Sequence, residues 1–116
     1  MFNELFQTFE ECHEPNWDGY GAQPVSDETY RLAYEFLAAL PPGTPVPSLG
    51  AEPDGHITAE WHRSPERTLS VSISADGDLH FAALLGLTKA YGTEPFVGEV
   101  PKIISDLIHR LRPLEQ

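Results

Sequence analysis

The run LSVSISADGDLHFAALL, residues 69–85, decides the fold. Leu69, Val71, Ile73 and Ala75 alternate with Ser70, Ser72 and Ser74, and Leu79, Phe81, Ala83 and Leu85 alternate with His80, Ala82 and Leu84. A two-residue period gives each segment one apolar and one more polar face, the pattern of a half-buried strand. Asp76-Gly77 lies between the two segments, a pair favoured by the tight turns of antiparallel hairpins. Upstream, Ile57, Ala59 and Trp61 alternate with His56, Thr58, Glu60 and His62. Asp54-Gly55 supplies a turn before that run and Ser64-Pro65-Glu66 a turn after it. A first strand around Val46–Glu52 can occupy only an edge, because Pro45, Pro47 and Pro53 lack the amide hydrogens of a central ladder. These runs predict a four-stranded antiparallel meander with one apolar face.

Helical periods flank the meander. Phe2, Leu5, Phe6 and Phe9 recur at i, i+3, i+4 and i+7, and Pro15 stops that helix. Glu10, Glu11 and Glu14 fall near its C-terminal end, where acids oppose the helix dipole at roughly 0.3–1 kcal/mol each when exposed. A second helix starts at Ser26, an N-cap residue, with Asp27 and Glu28 in the first turn and Val25 placed to staple onto Tyr30. Its expected buried face is Tyr30, Ala33, Tyr34, Leu37 and Leu40, and Pro41-Pro42 ends it. Pro101 opens a third helix with the stripe Val100, Ile103, Ile104, Leu107, Ile108 and Leu111, and His109, Arg110 and Arg112 complement its dipole. Three apolar stripes and one apolar sheet face must cover one another. The expected architecture is a two-layer α+β sandwich in the order ααββββα, one domain spanning residues 1–116.

The charge is uneven. Residues 1–60 hold eleven acids and one base, Arg31, for a balance of −10, whereas residues 61–116 hold seven acids and six bases, for −1; together they make the chain's −11. Such a field repels nucleic acid and anionic membranes and steers toward basic protein surfaces. A single cysteine, Cys12, excludes an intramolecular disulfide and fits a reducing compartment. The opening MFNELFQTFEE has neither a basic n-region nor a long apolar h-region, and the least polar stretch, Phe36–Ala51, is broken by prolines. A cytoplasmic location is expected.

No assembled catalytic motif accompanies the charge. Cys12 and His13 are helix neighbours about 100° apart, a poor nucleophile pair. His56, Glu60, His62 and His80 share the polar sheet face, and only a cross-strand His62–His80 or Glu60–His80 pairing brings zinc-ligating types together. A solvated polar face explains them as well. Glu60, next to Trp61, lacks a partner base for acid–base work. The glycines spell no phosphate loop, and there is no aromatic–basic stripe for nucleic acid. No cofactor, no metal and no catalytic residue is assigned.

The connection Asn16-Trp17-Asp18-Gly19-Tyr20-Gly21-Ala22 carries the remaining signal. Its glycines allow positive φ and Asp18 suits an Asx turn. Trp17 and Tyr20 either pin the loop to the core or stand exposed as binding anchors. This NWDGYGA run with Pro24, the FLAALP segment Phe36–Pro41, and the DG-I-x-x-EW hairpin (Asp54, Gly55, Ile57, Glu60, Trp61) resemble a scattered group of small, mostly uncharacterised bacterial and phage proteins. The resemblance spans most of the chain and implies a common fold, but no particular activity. It also implies an association with mobile elements, toxin–antitoxin pairs or phage counter-defence genes.

The functional expectation is a non-enzymatic inhibitor or regulator of a basic, nucleic-acid-handling complex, such as an anti-CRISPR-like protein or an antitoxin. Carboxylates on the two N-terminal helices would occupy a Lys/Arg groove that otherwise holds phosphates. The expected contact surface is Glu10, Glu11, Glu14, Trp17, Asp18, Tyr20, Asp27, Glu28 and Glu35. The alternatives are a small enzyme or metal-binding protein working on the polar sheet face, and a self-associating structural protein.

Overall fold

A computed structural model describes residues 1–111; Arg112, expected at the end of the last helix, lies outside them. The sheet is built from β1 (Ser48–Ala51), β2 (Ile57–Ser64), β3 (Arg67–Ile73), β4 (Asp78–Leu85) and β5 (Thr88–Pro95). Each strand pairs antiparallel with the next, in the order β1-β2-β3-β4-β5. The helices are α1 (Phe2–Cys12), α2 (Asp27–Ala38) and α3 (Lys102–Leu111). The fold is α+β, as expected, but with five strands and the order ααβββββα. The expectation of four strands omitted β5, which follows β4 through the two-residue loop Gly86-Leu87 (Leu85 opposite Thr88, Gly86 φ 67°).

The alternation read from the sequence sets the layers. Ile57, Ala59, Trp61, Leu69, Val71, Ile73, Leu79, Phe81, Ala83 and Leu85 are all buried, and α2 and α3 pack across β2 and β3, with α3 reaching β4. The opposite face, with Thr58, Glu60, His62, Thr68, Ser70, Ser72, His80 and Ala82, is half-buried or exposed. The turns expected at Asp54-Gly55, Ser64-Pro65-Glu66 and Asp76-Gly77 are all present. Asp76 shows how the last is held. Its carboxylate accepts from the Ser74 hydroxyl and the Asp78 amide, and those bonds hold its pKa below the usual carboxylate value.

Helix α2 is rotated from the expected face. Ser26 caps it through the Thr29 amide (3.1 Å), but its core-facing residues are Thr29, Leu32, Ala33, Phe36 and Leu37. Tyr30 and Tyr34 turn toward α1 instead, in a ladder of rings. Phe2 lies 4.6 Å from Tyr34 and Phe9 lies 4.7 Å from Tyr30, centroid to centroid, so the two helices run antiparallel. One helix thus serves two partners, and a single stripe cannot describe it. On α3, Ile103 sits at the edge of the stripe, partly exposed, while Ile104, Leu107, Ile108 and Leu111 enter the core.

Gly55 joins the sheet to the helices. Its φ is +90°, and a Cβ there would meet the Pro24 carbonyl oxygen at 2.9 Å. Gly55→Ala therefore carries both backbone strain and a steric clash, with an expected loss of ~1–3 kcal/mol in urea unfolding. An unchanged midpoint would mean that the segment around Pro24 yields freely.

Candidate functional site

The loop between α1 and α2 is tied to itself. Asn16, at φ 61°, donates its amide to the Ala22 carbonyl (2.8 Å), and its Oδ1 accepts from the Gly21 amide (2.5 Å). Gly19 donates to the Asn16 carbonyl at 3.0 Å. Asp18 forms the expected Asx turn: its Oδ1 accepts from the Tyr20 amide (2.8 Å) and the Ala22 amide (3.1 Å). Gly19 and Gly21, at φ 79° and 86°, take backbone conformations that other residues rarely adopt. Beyond the loop, Gln23 donates to the Pro53 carbonyl and Val25 to the Cys12 carbonyl, fixing the exit against the sheet turn and the end of α1.

This frame separates the two aromatics. Trp17 is half-buried against the core, its Nε1 donating to the Gln23 carbonyl at 2.7 Å. Tyr20 projects from the tip with 92% of its surface exposed. Trp17 is the pin and Tyr20 is the displayed ring.

The acids around the loop differ in how free they are. The exposed carboxylates of Glu10, Glu11 and Asp27 make neither ion pair nor hydrogen bond among the described residues; that of Glu14 has only His13, at 3.5 Å. The last turn of α1 contains no basic residue. Because α1 and α2 run antiparallel and Val25 bonds to Cys12, the end of α1 and the start of α2 meet at the loop. Glu10, Glu11, Glu14, Asp18, Tyr20 and Asp27 thus gather at one end of the helix pair. Glu28 and Glu35 are engaged differently, since Arg31 bridges them along the exposed side of α2. That guanidinium holds the Glu28 carboxyl below its usual range, chiefly by hydrogen bonding. Glu35 also lies two turns, ~10 Å, further along α2. Glu35 thus stands apart from the cluster, while Glu28 shares the first turn of α2 with Asp27 but is already paired.

Cys12 is buried, and burial followed by the neighbouring Glu11 charge raises its thiol pKa. His13 faces away, its Nδ1 against the Phe9 and Glu10 carbonyls and its ring stacked on Phe9. Native protein should resist iodoacetamide at mildly alkaline pH, whereas unfolded protein reacts fully. Equal alkylation rates would place the thiol at the surface.

On the polar sheet face, the register keeps the sequence candidates apart. His80 lies opposite Ser72, which lies opposite Thr58, while His62 lies opposite Thr68 at the far end. Four residues of strand separate the two histidine levels, ~13 Å. Glu60 faces Ser70 and, beyond it, Ala82. His56 and His80 do meet, as parallel rings 5.8 Å apart, with Asp54 3.4 Å from His56 and Thr93 3.0 Å from His80. Among the described residues, no three His, Cys, Asp or Glu side chains gather in a way that could hold a metal ion. One polar knot escaped sequence reading: Glu52 accepts from the hydroxyls of Thr58 and Ser72 (2.8 Å to Ser72). Only the strand register brings those three together.

No helix among the described residues is long and apolar enough to cross a membrane. Comparison with protein-family models, curated proteins and solved structures finds no match to this chain.

Proposed function

We propose that the chain is a non-enzymatic, protein-binding inhibitor or regulator of a basic, nucleic-acid-handling complex, acting in the cytoplasm as an anti-CRISPR-like protein or an antitoxin does. One observation carries the reading: Tyr20 is 92% exposed on a loop whose backbone is fixed by its own hydrogen bonds, beside carboxylates with little internal pairing. A rigid, displayed aromatic loses little conformational freedom on binding and makes a strong anchor. Glu10, Glu11, Glu14 and Asp27 steer a Lys/Arg surface onto it and compete with phosphates for that surface. Asp18 shapes the loop and leaves its second oxygen for the partner. Glu28 and Glu35 contribute less, because Arg31 already screens them.

Affinity capture from a nuclease-treated bacterial lysate tests the reading. The expected result is a stoichiometric basic protein or complex, released by salt, that is retained by wild type and lost with Tyr20→Ala. Recovery of the same proteins by Tyr20→Ala, or no stoichiometric partner, would contradict it.

A further inference from the structure

The two edges of the sheet are treated differently. β1 is four residues long, follows Pro47, and has α1 packed against it, with the Glu4 carboxylate 3.5 Å from the Leu49 amide. Such an edge is closed to another strand. β5 is eight residues long, and among the described elements only β4 packs against it. Its two-residue hairpin makes Leu85 and Thr88 a hydrogen-bonded pair, so alternate residues Thr88, Ala90, Gly92 and Glu94 bond inward to β4. The bond from the Phe96 amide to the Gly77 carbonyl (2.8 Å) continues the same parity. Lys89, Tyr91 and Thr93 therefore turn their amides and carbonyls outward, and all three are exposed. Pro95, the next outward position, has no N–H to offer.

Three exposed apolar side chains lie on this strand and at its two ends. Leu87 at the hairpin tip is fully exposed, Tyr91 is 84% exposed, and Val97 just past the strand is 83% exposed. The strand is also locally neutral, with Lys89 and Glu94, while the acid-rich helix α1 flanks the opposite edge.

We propose that β5 pairs antiparallel with β5 of a second copy of this chain, forming a continuous ten-stranded sheet across a two-fold axis at Tyr91. Outward-facing residues must oppose one another in an antiparallel pair, so Tyr91 meets its own counterpart and Lys89 meets Thr93. Every outward amide from Lys89 to Thr93 then finds a carbonyl, no like charges are opposed, and Pro95 falls beyond the paired segment. The pairing sets the acid-rich ends of the two copies at opposite extremes of the sheet, where their repulsion is least. Because the β1 edge is covered, association closes at two and does not propagate. A basic peptide is a poorer occupant, since the acids that would attract it lie at the other edge. This surface is separate from the Tyr20 cluster and does not depend on it.

Sedimentation equilibrium of the full chain at rising, sub-millimolar concentration tests the proposal. The mass should climb from 12.9 kDa toward twice that value, and association should strengthen with salt as repulsion between two copies of charge −11 is screened. Tyr91→Lys, which opposes like charges on the axis, should stay monomeric with an unchanged thermal midpoint, while Tyr20→Ala should still dimerise. In wild type, concentration-dependent protection from hydrogen exchange should appear at the Lys89, Tyr91 and Thr93 amides. A mass of 12.9 kDa throughout, a dimer indifferent to Tyr91→Lys, or exchange protection elsewhere would overturn it.

Discussion

Trp61→Ala is expected to destabilise the protein by ~3–5 kcal/mol, close to the whole stability of many small domains. The ring is 4% exposed on the covered face of β2. Its Nε1 also donates to the Pro45 carbonyl at 2.7 Å, tying the proline-rich segment before β1 to β2. The substitution removes apolar burial and that tie together. Urea unfolding should show a lowered midpoint with an unchanged slope, or no folded baseline. Trp61→Phe keeps most of the apolar bulk and loses the hydrogen bond, so its cost should be smaller, ~1–3 kcal/mol. A wild-type midpoint for Trp61→Ala would mean that β2 presents its other face to the helices.

Reversal of Glu10, Glu11 and Glu14 to Lys should abolish partner binding while leaving the fold intact. These side chains are exposed and sit at the C-terminal end of α1, where cations complement the dipole. The variant should therefore melt no lower than wild type. Its association rate should fall by about 10–10³-fold, and the salt dependence of that rate should flatten. Tyr20→Ala should act on dissociation instead, because the ring is an anchor and not a charge. A folded triple variant that binds normally would remove the acids from the account.

Much of this architecture was legible in the chain. The alternation of Leu69–Ile73 and Leu79–Leu85, with Asp76-Gly77 between, contained the central hairpin, and Ser26 marked the start of α2. β5 was not legible, because its inward positions Ala90, Gly92 and Glu94 carry no large apolar side chain, so the burial alternates along the strand while the sequence shows no apolar period. Gly92 looks like a strand breaker, yet a Cβ there would meet the Phe81 ring at 3.0 Å, so the glycine makes room for a core aromatic. The roles of Phe36 and Tyr34 were hidden because α2 packs on both the sheet and α1. In the candidate site, the glycines and Asp18 announced a constrained loop, but its hydrogen bonds decide which aromatic faces water. Arg31 sits three and four residues from Glu28 and Glu35, so their pairing was readable from spacing alone.

The action proposed for this surface is competition with nucleic acid for a basic groove. The most direct measurement is displacement: the captured partner is loaded with labelled nucleic acid and titrated with wild-type protein. Stoichiometric release of the label is expected, weakened by salt and absent with Glu10, Glu11 and Glu14 reversed. A stable ternary complex that keeps its nucleic acid would contradict it.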